Sequence, residues 1–359
     1  MKKLVYAVLA VIVFLICGLF YINRDESASK TVKIGIVNDG PNNDRSWCQS
    51  HNEGALAAAK GLPVELDIRE SVIQDDSCKA VFEDLINKGC GLIVASSYNY
   101  GPYLREICEK YPDVKFVHSG GDMVSKNIST CFGRIYQIRY LTGIVAGLQT
   151  KTNNIGYVAA FPIDEVNRGI NAFTLGVRKV NPNAKVYVSW SKSWENDEKA
   201  SKAFEKLLNY DIDVLSVHTN SVAPLKMAED RGIWTIGYHY NNAEMFPKTY
   251  LTAAVWDWQR IYRSIFQRYV IGRFTSKQFW EGVETGAAKL APLTDKVAPG
   301  TGRIIYREQE LMSNNKFDVF YGPIKDNKGK LRVKAGQNIT DHKLLHDFGW
   351  FVEGVVNVE

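Results

Sequence analysis

Residues 38–54 read NDGPNNDRSWCQSHNEG, and this stretch joins the first convincing strand to the first helix. The run before it, Val32 to Val37, is apolar and β-branched apart from Lys33, as a strand buried in a parallel sheet should be. Behind it, Ala55, Leu56, Ala59 and Lys60 follow Gly54 with helical spacing. Gly, Pro, three Asn and two Asp lie between, all loop formers, and then an indole, Trp47, at the strand's carboxyl end. That edge of an open α/β sheet is where ligands bind. Two readings of Trp47 stand side by side: one wall of a ligand cleft, or a staple of the helix start to the core. As a ring on a cleft loop, its removal should weaken ligand binding and leave the ligand-free stability nearly unchanged.

Outward from this stretch, strand and helix signals alternate. Strands are predicted at Lys33–Val37, Val64–Arg69, Leu92–Ser96, Lys115–His118 and Ser129–Phe132, with helices between them and a further helix over Tyr136–Thr150. The alternation restarts with strands at Ile155–Ala160, Lys185–Trp190, Val214–His218 and Thr235–Tyr238. Parallel right-handed crossovers build such a pattern economically, and 359 residues exceed one ordinary core. The chain therefore divides into a segment 1–30, a first α/β lobe over 31–152 with part of 253–290, and a second over 153–252 with part of 291–359. After Leu251 a strand at Thr252–Val255 leads into an aromatic helix, Trp258 to Ile271. The remainder reads as β-rich, with a hairpin at Asp326-Asn327-Lys328-Gly329. Such a tail wraps back over both lobes, so the lobes hinge.

Composition narrows the function. With 44 basic and 39 acidic residues, a net charge of +5 and no basic block, nucleic acid is not the partner. The N-terminus is distinct: Met1-Lys2-Lys3 precedes uncharged Leu4 to Ile22, long enough at about 1.5 Å per residue to span a hydrocarbon core. The two lysines would hold that end in the cytoplasm and send the rest across the membrane. Cys17 stands where an acylated lipoprotein cysteine would be, although Ile16 replaces the small residue before it. Ser27-Ala28-Ser29 offers ordinary signal cleavage, and an uncleaved anchor is the third route. Cys17 and the long apolar run favour tethering over release. The other five cysteines, Cys48, Cys78, Cys90, Cys108 and Cys131, have no metal-ligand spacing and read mostly as small buried residues; Cys48 is set apart by its place beside Trp47.

Parallel strands would turn their carboxyl ends to one crevice. Aromatic residues stand at most of those ends: Trp47, Tyr98, Tyr100, Phe161, Trp190, Trp194, Tyr238, Tyr240, Trp256 and Trp258. A flat, π-rich ligand between the lobes fits that inventory, since stacking is worth on the order of 1–3 kcal/mol per base. Asp39, Asp44, Asn220, His239 and Asn241 are the polar groups placed to read its edge. No GxSxG elbow, GxxxxGK[ST] loop or GxGxxG turn occurs, so no hydrolase, P-loop or dinucleotide reading has support and no cofactor is called for. An enzyme using His239 or Asp44 as base, and a ligand sensor, are the alternatives to a binding protein.

The segments GPNNDRSWCQSHNEG, SSYNYGPYL, YPDVKFVHSGG, HTNSVAP, GPIKDNKGK and WFVEGV, and above all FPIDEVNRGINAFTLGVRKVNP, resemble the basic membrane protein family. These are extracytoplasmic purine or purine-nucleoside receptors of ABC importers. The resemblance implies a type I periplasmic-binding-protein fold, two doubly wound parallel-sheet lobes on a multi-crossing hinge, and an ABC permease as partner. Carried over by position, Trp47 matches the aromatic that stacks on the base, and Asn220 takes the place of a carboxylate. His239 stands where the family usually has an Asp that contacts ribose. Trp256 replaces a Lys in nucleoside-binding members and an Asn in base-binding ones. Asp39, Cys48, Tyr98, Phe161 and Trp194 complete the expected site. The changed polar readers imply a free base, adenine, hypoxanthine, guanine or a related purine, with a purine-nucleoside receptor as the alternative.

Overall fold

The computed structural model describes residues 31–121 and 123–358. The segment 1–30, with Cys17 and every route of attachment, lies outside them.

Val32–Val37 (β1) enters the core with its last four residues buried, then turns into Trp47–Ala59 (α1). Next come Val64–Arg69 (β2), Cys78–Asn87 (α2), Cys90–Ala95 (β3), Gly101–Lys110 (α3), Lys115–Ser119 (β4) and Ile128–Cys131 (β5). The second series runs Ile135–Gln149 (α4), Asn154–Ala159 (β6), Asp164–Val180 (α5), Lys185–Trp190 (β7), Asp197–Leu207 (α6), Val214–His218 (β8), Ala223–Glu229 (α7), Trp234–His239 (β9) and Tyr250–Trp256 (β10). The return is made by Trp258–Val270 (α8), Gln278–Phe279 (β11), Ala288–Leu290 (β12), Thr301–Ser313 (α9), Ile324–Lys325 (β13), Leu331–Val333 (β14), Asp341–His346 (α10) and Val355–Asn357 (β15).

These strands form two large sheets, ordered β11-β5-β4-β3-β1-β2 and β12-β10-β9-β8-β6-β7-β15, with β13 and β14 as a separate hairpin. Within the large sheets every pairing is parallel except β10 with β12. The register sets β1 between β2 and β3, with Val37 opposite both Arg69 and Ala95, so the loops after β1 and β3 emerge together. In the other sheet Ala159 faces Trp190 and His218, which gathers the loops after β6, β7 and β8. This is the doubly wound two-lobe α/β architecture, with each sheet's switch point turned to the same cleft.

The passage between lobes lies elsewhere than at residues 152 and 253. Helix α4 packs along α5 of the second lobe: a Cβ on Gly143 would collide with the Phe173 carbonyl, and one on Gly176 with the Tyr140 carbonyl. Glycines at the crossing bring the two backbones together, which commits α4 to the second sheet. Strand β10 lies in that sheet too, beside β9. The chain therefore crosses near 132–134, at 257 and over 280–287, while α8 returns to pack on α1. The tail is also less β-rich than its sequence implied. Gly300 takes a left-handed φ of 83° and starts α9, whose Ile305, Glu308 and Met312 repeat at helical spacing on its buried face. Among the described helices none is long and apolar enough to cross a membrane.

Candidate functional site

Trp47 is not a loop residue: it is the first residue of α1, and the loop before it is what prepares that helix. Asp44 Oδ1 accepts the Ser46 and Gln49 amides at 2.8 and 2.9 Å, and Oδ2 accepts that of Cys48 at 2.9 Å. The carboxylate so satisfies the orphan N–H groups of the helix start. With both oxygens engaged, Asp44 is a cap, and the role of ligand reader or base passes to other residues. The indole of Trp47 donates from Nε1 to the Ser96 carbonyl and is 6% exposed. His51 (4.2 Å between ring centroids), His239 (4.7 Å) and Trp258 (5.3 Å) meet it edge-on. It is at once a core residue and a wall of the cavity.

That cavity holds about 430 Å³ of empty space, mouth included, and lies between the lobes. The first lobe supplies Asp39, Trp47, Tyr98 and Phe132; the second supplies Glu165, Trp194, Asn220, Tyr238 and His239. Its apolar walls, interrupted by a few polar groups, are those of a small-molecule site. Of the nine expected residues, six line it: Asp39, Trp47, Tyr98, Trp194, Asn220 and His239. Phe161 stands behind Trp194, edge to face at 5.6 Å. Cys48 is buried beneath Asp39, its Sγ accepting the Gly40 amide at 3.2 Å and donating to Asp39 Oδ1 at 3.1 Å. Burial pushes that thiol far up, so it stays protonated and inert. Trp256 is the third displaced residue, and it lies behind His239, to which it donates a hydrogen bond.

His239 ends β9 with φ of 65°, a left-handed conformation costly for a side chain with a Cβ. The turn brings its ring to 3.5 Å from that of Tyr238 and within reach of Trp256, whose Nε1–H donates to His239 Nδ1 at 3.1 Å. Burial holds the imidazole well below its usual pKa, and the charge of Arg139 adds to this. The neutral ring, its Nδ1 already accepting, carries its proton on Nε2 and is a hydrogen-bond donor on the cavity wall. Trp256 itself packs against Phe132 at 4.8 Å and Trp258 at 5.2 Å, filling the hinge side behind His239.

The polar walls differ. Asp39 receives the Gln74 carboxamide at 2.5 Å besides the Cys48 thiol, and burial raises its pKa. Asn220 is fixed through its backbone, whose N–H donates to the Trp194 carbonyl at 2.7 Å, and its carboxamide makes no hydrogen bond to any described residue. Glu165, in the first turn of α5, was missed by the sequence reading, which ended that strand-end loop one residue earlier. Its Oε1 accepts from His218 Nε2 at 3.0 Å, and Tyr157 OH lies 3.1 Å from His218 Nδ1. Burial works against the charged carboxylate, but the hydrogen bond from His218 and the charges of Arg168 and Arg139 oppose it and keep Glu165 below its usual value. Burial holds His218 down at about 4, so it is a neutral donor to an ionised acid. Arg139, fully buried, lies 3.6 Å over the Tyr238 ring and donates from Nη1 to the Val217 carbonyl at 2.8 Å.

At the mouth the lobes touch. Asn242 Nδ2 donates to the Arg45 carbonyl at 2.9 Å, and Gln49 Nε2 to the Tyr240 hydroxyl at 3.2 Å. No group of three or more His, Cys, Asp or Glu among the described residues is arranged to hold a metal ion.

The family model described as "ABC transporter substrate-binding protein PnrA-like" (Bmp) matches residues 31–316. A purine-binding protein of Brucella abortus is 31% identical over 94% of this chain and 96% of its own length. A putative ABC transporter glucose-binding protein of Haloferax volcanii is also 31% identical, over 92% and 81%. Among solved structures, an ABC transporter solute-binding protein of Aeropyrum pernix superposes with a TM-score of 0.69 at 16% identity, covering 82% of this chain and 93% of its own.

Proposed function

The chain belongs to the Bmp family of PnrA-like ABC-transporter substrate-binding proteins, and on that premise we propose that it captures a free purine-like base between its two lobes and hands it to an ABC permease. Proteins of this family work outside the cytoplasm. Attachment through Cys17, or through an uncleaved apolar segment, is the means by which this one stays at the membrane.

The observation that carries the reading is the aromatic slot: Trp47, Tyr98 and Phe132 on one lobe face Trp194, Tyr238 and His239 on the other. Such walls suit the two faces of a heterocycle, which favours the purine binder over the glucose binder as the functional model. Trp256 and His239 fill the hinge side, where the resemblance places ribose contacts, and so favour base over nucleoside. Asn220, which offers both donor and acceptor, accommodates an oxo group as well as an amine. Calorimetry with adenine, hypoxanthine, guanine, their ribosides and glucose tests this. A free base should bind tightest; a riboside at least tenfold tighter than its base refutes the free-base reading, and glucose binding without purine binding refutes the ligand class.

A further inference from the structure

Two carboxyl side chains face the cavity, and they are built for different tasks. Asp39, on the first lobe, already has one oxygen engaged by Cys48 and the other by Gln74. Glu165, on the second, spends only Oε1, on His218; its Oε2 takes no hydrogen bond from any described residue while the side chain lines the cavity. The groups behind it fix its position. His218 is fully buried and held by Tyr157 on its far nitrogen, and its ring packs so close to Gly169 that a Cβ there would stand 2.7 Å from Cε1. The two buried guanidinium groups, Arg139 and Arg168, supply positive charge on the same side. Arg168 is itself anchored to the Leu344 carbonyl and lies 4.9 Å from the Trp280 ring, while Arg139 is anchored to Val217 and Tyr238.

We infer that Glu165 is the specificity-determining group of the second lobe: a fixed carboxylate that accepts a hydrogen bond from an N–H on the edge of the ligand. The ligand class follows from what such an acceptor tolerates. An exocyclic amine or a ring N–H pairs with Oε2, whereas a carbonyl or an unprotonated ring nitrogen turned towards it is repelled and loses its hydration without compensation. The bound edge is therefore a donor edge, as in an amino-purine or an N–H tautomer of an oxo-purine. His218 is the positioning residue, because its Nε2–H keeps Oε1 occupied and leaves a single oxygen facing the cavity. This inference rests on the purine reading of the site and adds to it the polarity of the edge that the second lobe reads.

The test compares adenine with two analogues that each lack one donor, purine (no exocyclic amine) and 9-methyladenine (no N9–H), on the wild-type protein and on Glu165→Gln, by calorimetry. A hydrogen bond to a charged group is worth about 1.5–3 kcal/mol, which is on the order of 10- to 150-fold in affinity. Adenine should bind the wild type at least tenfold tighter than one of the two analogues, and Glu165→Gln should shrink that ratio to within threefold while its melting curve stays cooperative. A merely structural Glu165 would weaken all three ligands alike and leave the ratio in place, which overturns the inference. Should Glu165→Gln fail to fold, the wild-type ratios still decide: adenine no better than either analogue overturns it. Purine binding with an unaltered ratio in the variant refutes the role of Glu165 alone; glucose binding without purine binding refutes the role and the ligand class together.

Discussion

Truncating Trp47 to Ala separates two roles that the structure gives to one ring. A stacking side chain on an open loop would leave the ligand-free protein as stable as before. Trp47 is instead 6% exposed, held by a hydrogen bond to Ser96 and enclosed by His51, His239, Trp256 and Trp258. Replacing a buried Trp by Ala costs about 3–5 kcal/mol, because the cavity left behind collapses only in part. The surrounding rings are stapled to α8 and to the hinge, so this cavity belongs at the upper end. Ligand affinity falls for a second reason, the lost stacking face, worth about 1–3 kcal/mol or roughly 5- to 150-fold. Urea denaturation of the ligand-free variant reads the first quantity and calorimetry with a purine base reads the second. Trp47→Phe is the control: it keeps a face for the base and most of the packing, loses the bond to Ser96, and should cost about 1 kcal/mol in stability with affinity within a few-fold of wild type. Ligand-free stability within 1 kcal/mol of wild type for Trp47→Ala would refute the packing argument. Unchanged affinity in the folded variant would refute the stacking argument and leave Trp47 a staple.

Three further outcomes follow. Gly143→Ala, where the new methyl meets the Phe173 carbonyl, should lower stability by about 1–3 kcal/mol or more through forced separation of α4 and α5, whereas Gly302→Ala, whose nearest neighbour lies 3.9 Å away, should not; equal melting points for the two variants would refute the close-packed crossing. His218 is held at about 4 in the folded protein against about 6.5 unfolded, so between those values the unfolded chain binds a proton that the fold refuses and stability falls as pH falls. Wild type should therefore lose roughly 2–3 kcal/mol relative to His218→Gln between pH 7 and 4.5, read from denaturation midpoints, and a constant difference would mean that His218 is not buried neutral. If Cys17 carries lipid, Cys17→Ser should abolish incorporation of labelled palmitate, and labelling that persists, or is absent from both forms, excludes that route.

How far the sequence alone carried this reading depends on the kind of signal. The run Val32–Val37, the loop formers behind it and the strand-helix alternation state the two-lobe fold in a code of period and turn chemistry, and the strand-end rule then places Trp47, Tyr98, Trp194, Asn220 and His239 on one cavity. What the sequence did not carry is direction. Asp39 and Asp44 look alike in a polar loop, yet one faces the cavity and the other turns back to cap its own helix. Glu165 looks like an ordinary first-turn acid favoured by the helix dipole, and only the arrival of β8 with His218, 53 residues later, holds it on the cavity wall. The assignment of α4 to the second lobe was likewise invisible in periodicity, because it rests on which helix its glycines meet.

The hinge and the ligand wall share residues, and this decides how the replacement of a Lys or Asn by Trp256 should be read. Trp256 ends β10 one residue before the chain crosses at 257, and its ring packs on Phe132, which stands at another crossing. Any change at Trp256 therefore alters two things together: the space behind His239 and the ease with which the lobes close. Absolute affinity mixes both, so weaker binding by Trp256→Ala would say little about sugar exclusion. The ratio of riboside to base affinity is cleaner, because both ligands close the same hinge and the closure cost cancels to first order. If Trp256 fills the space a ribose would need, that ratio must rise in Trp256→Ala whatever happens to either affinity alone. A ratio that stays put while both affinities fall would place Trp256 in the hinge and leave nucleoside rejection to His239.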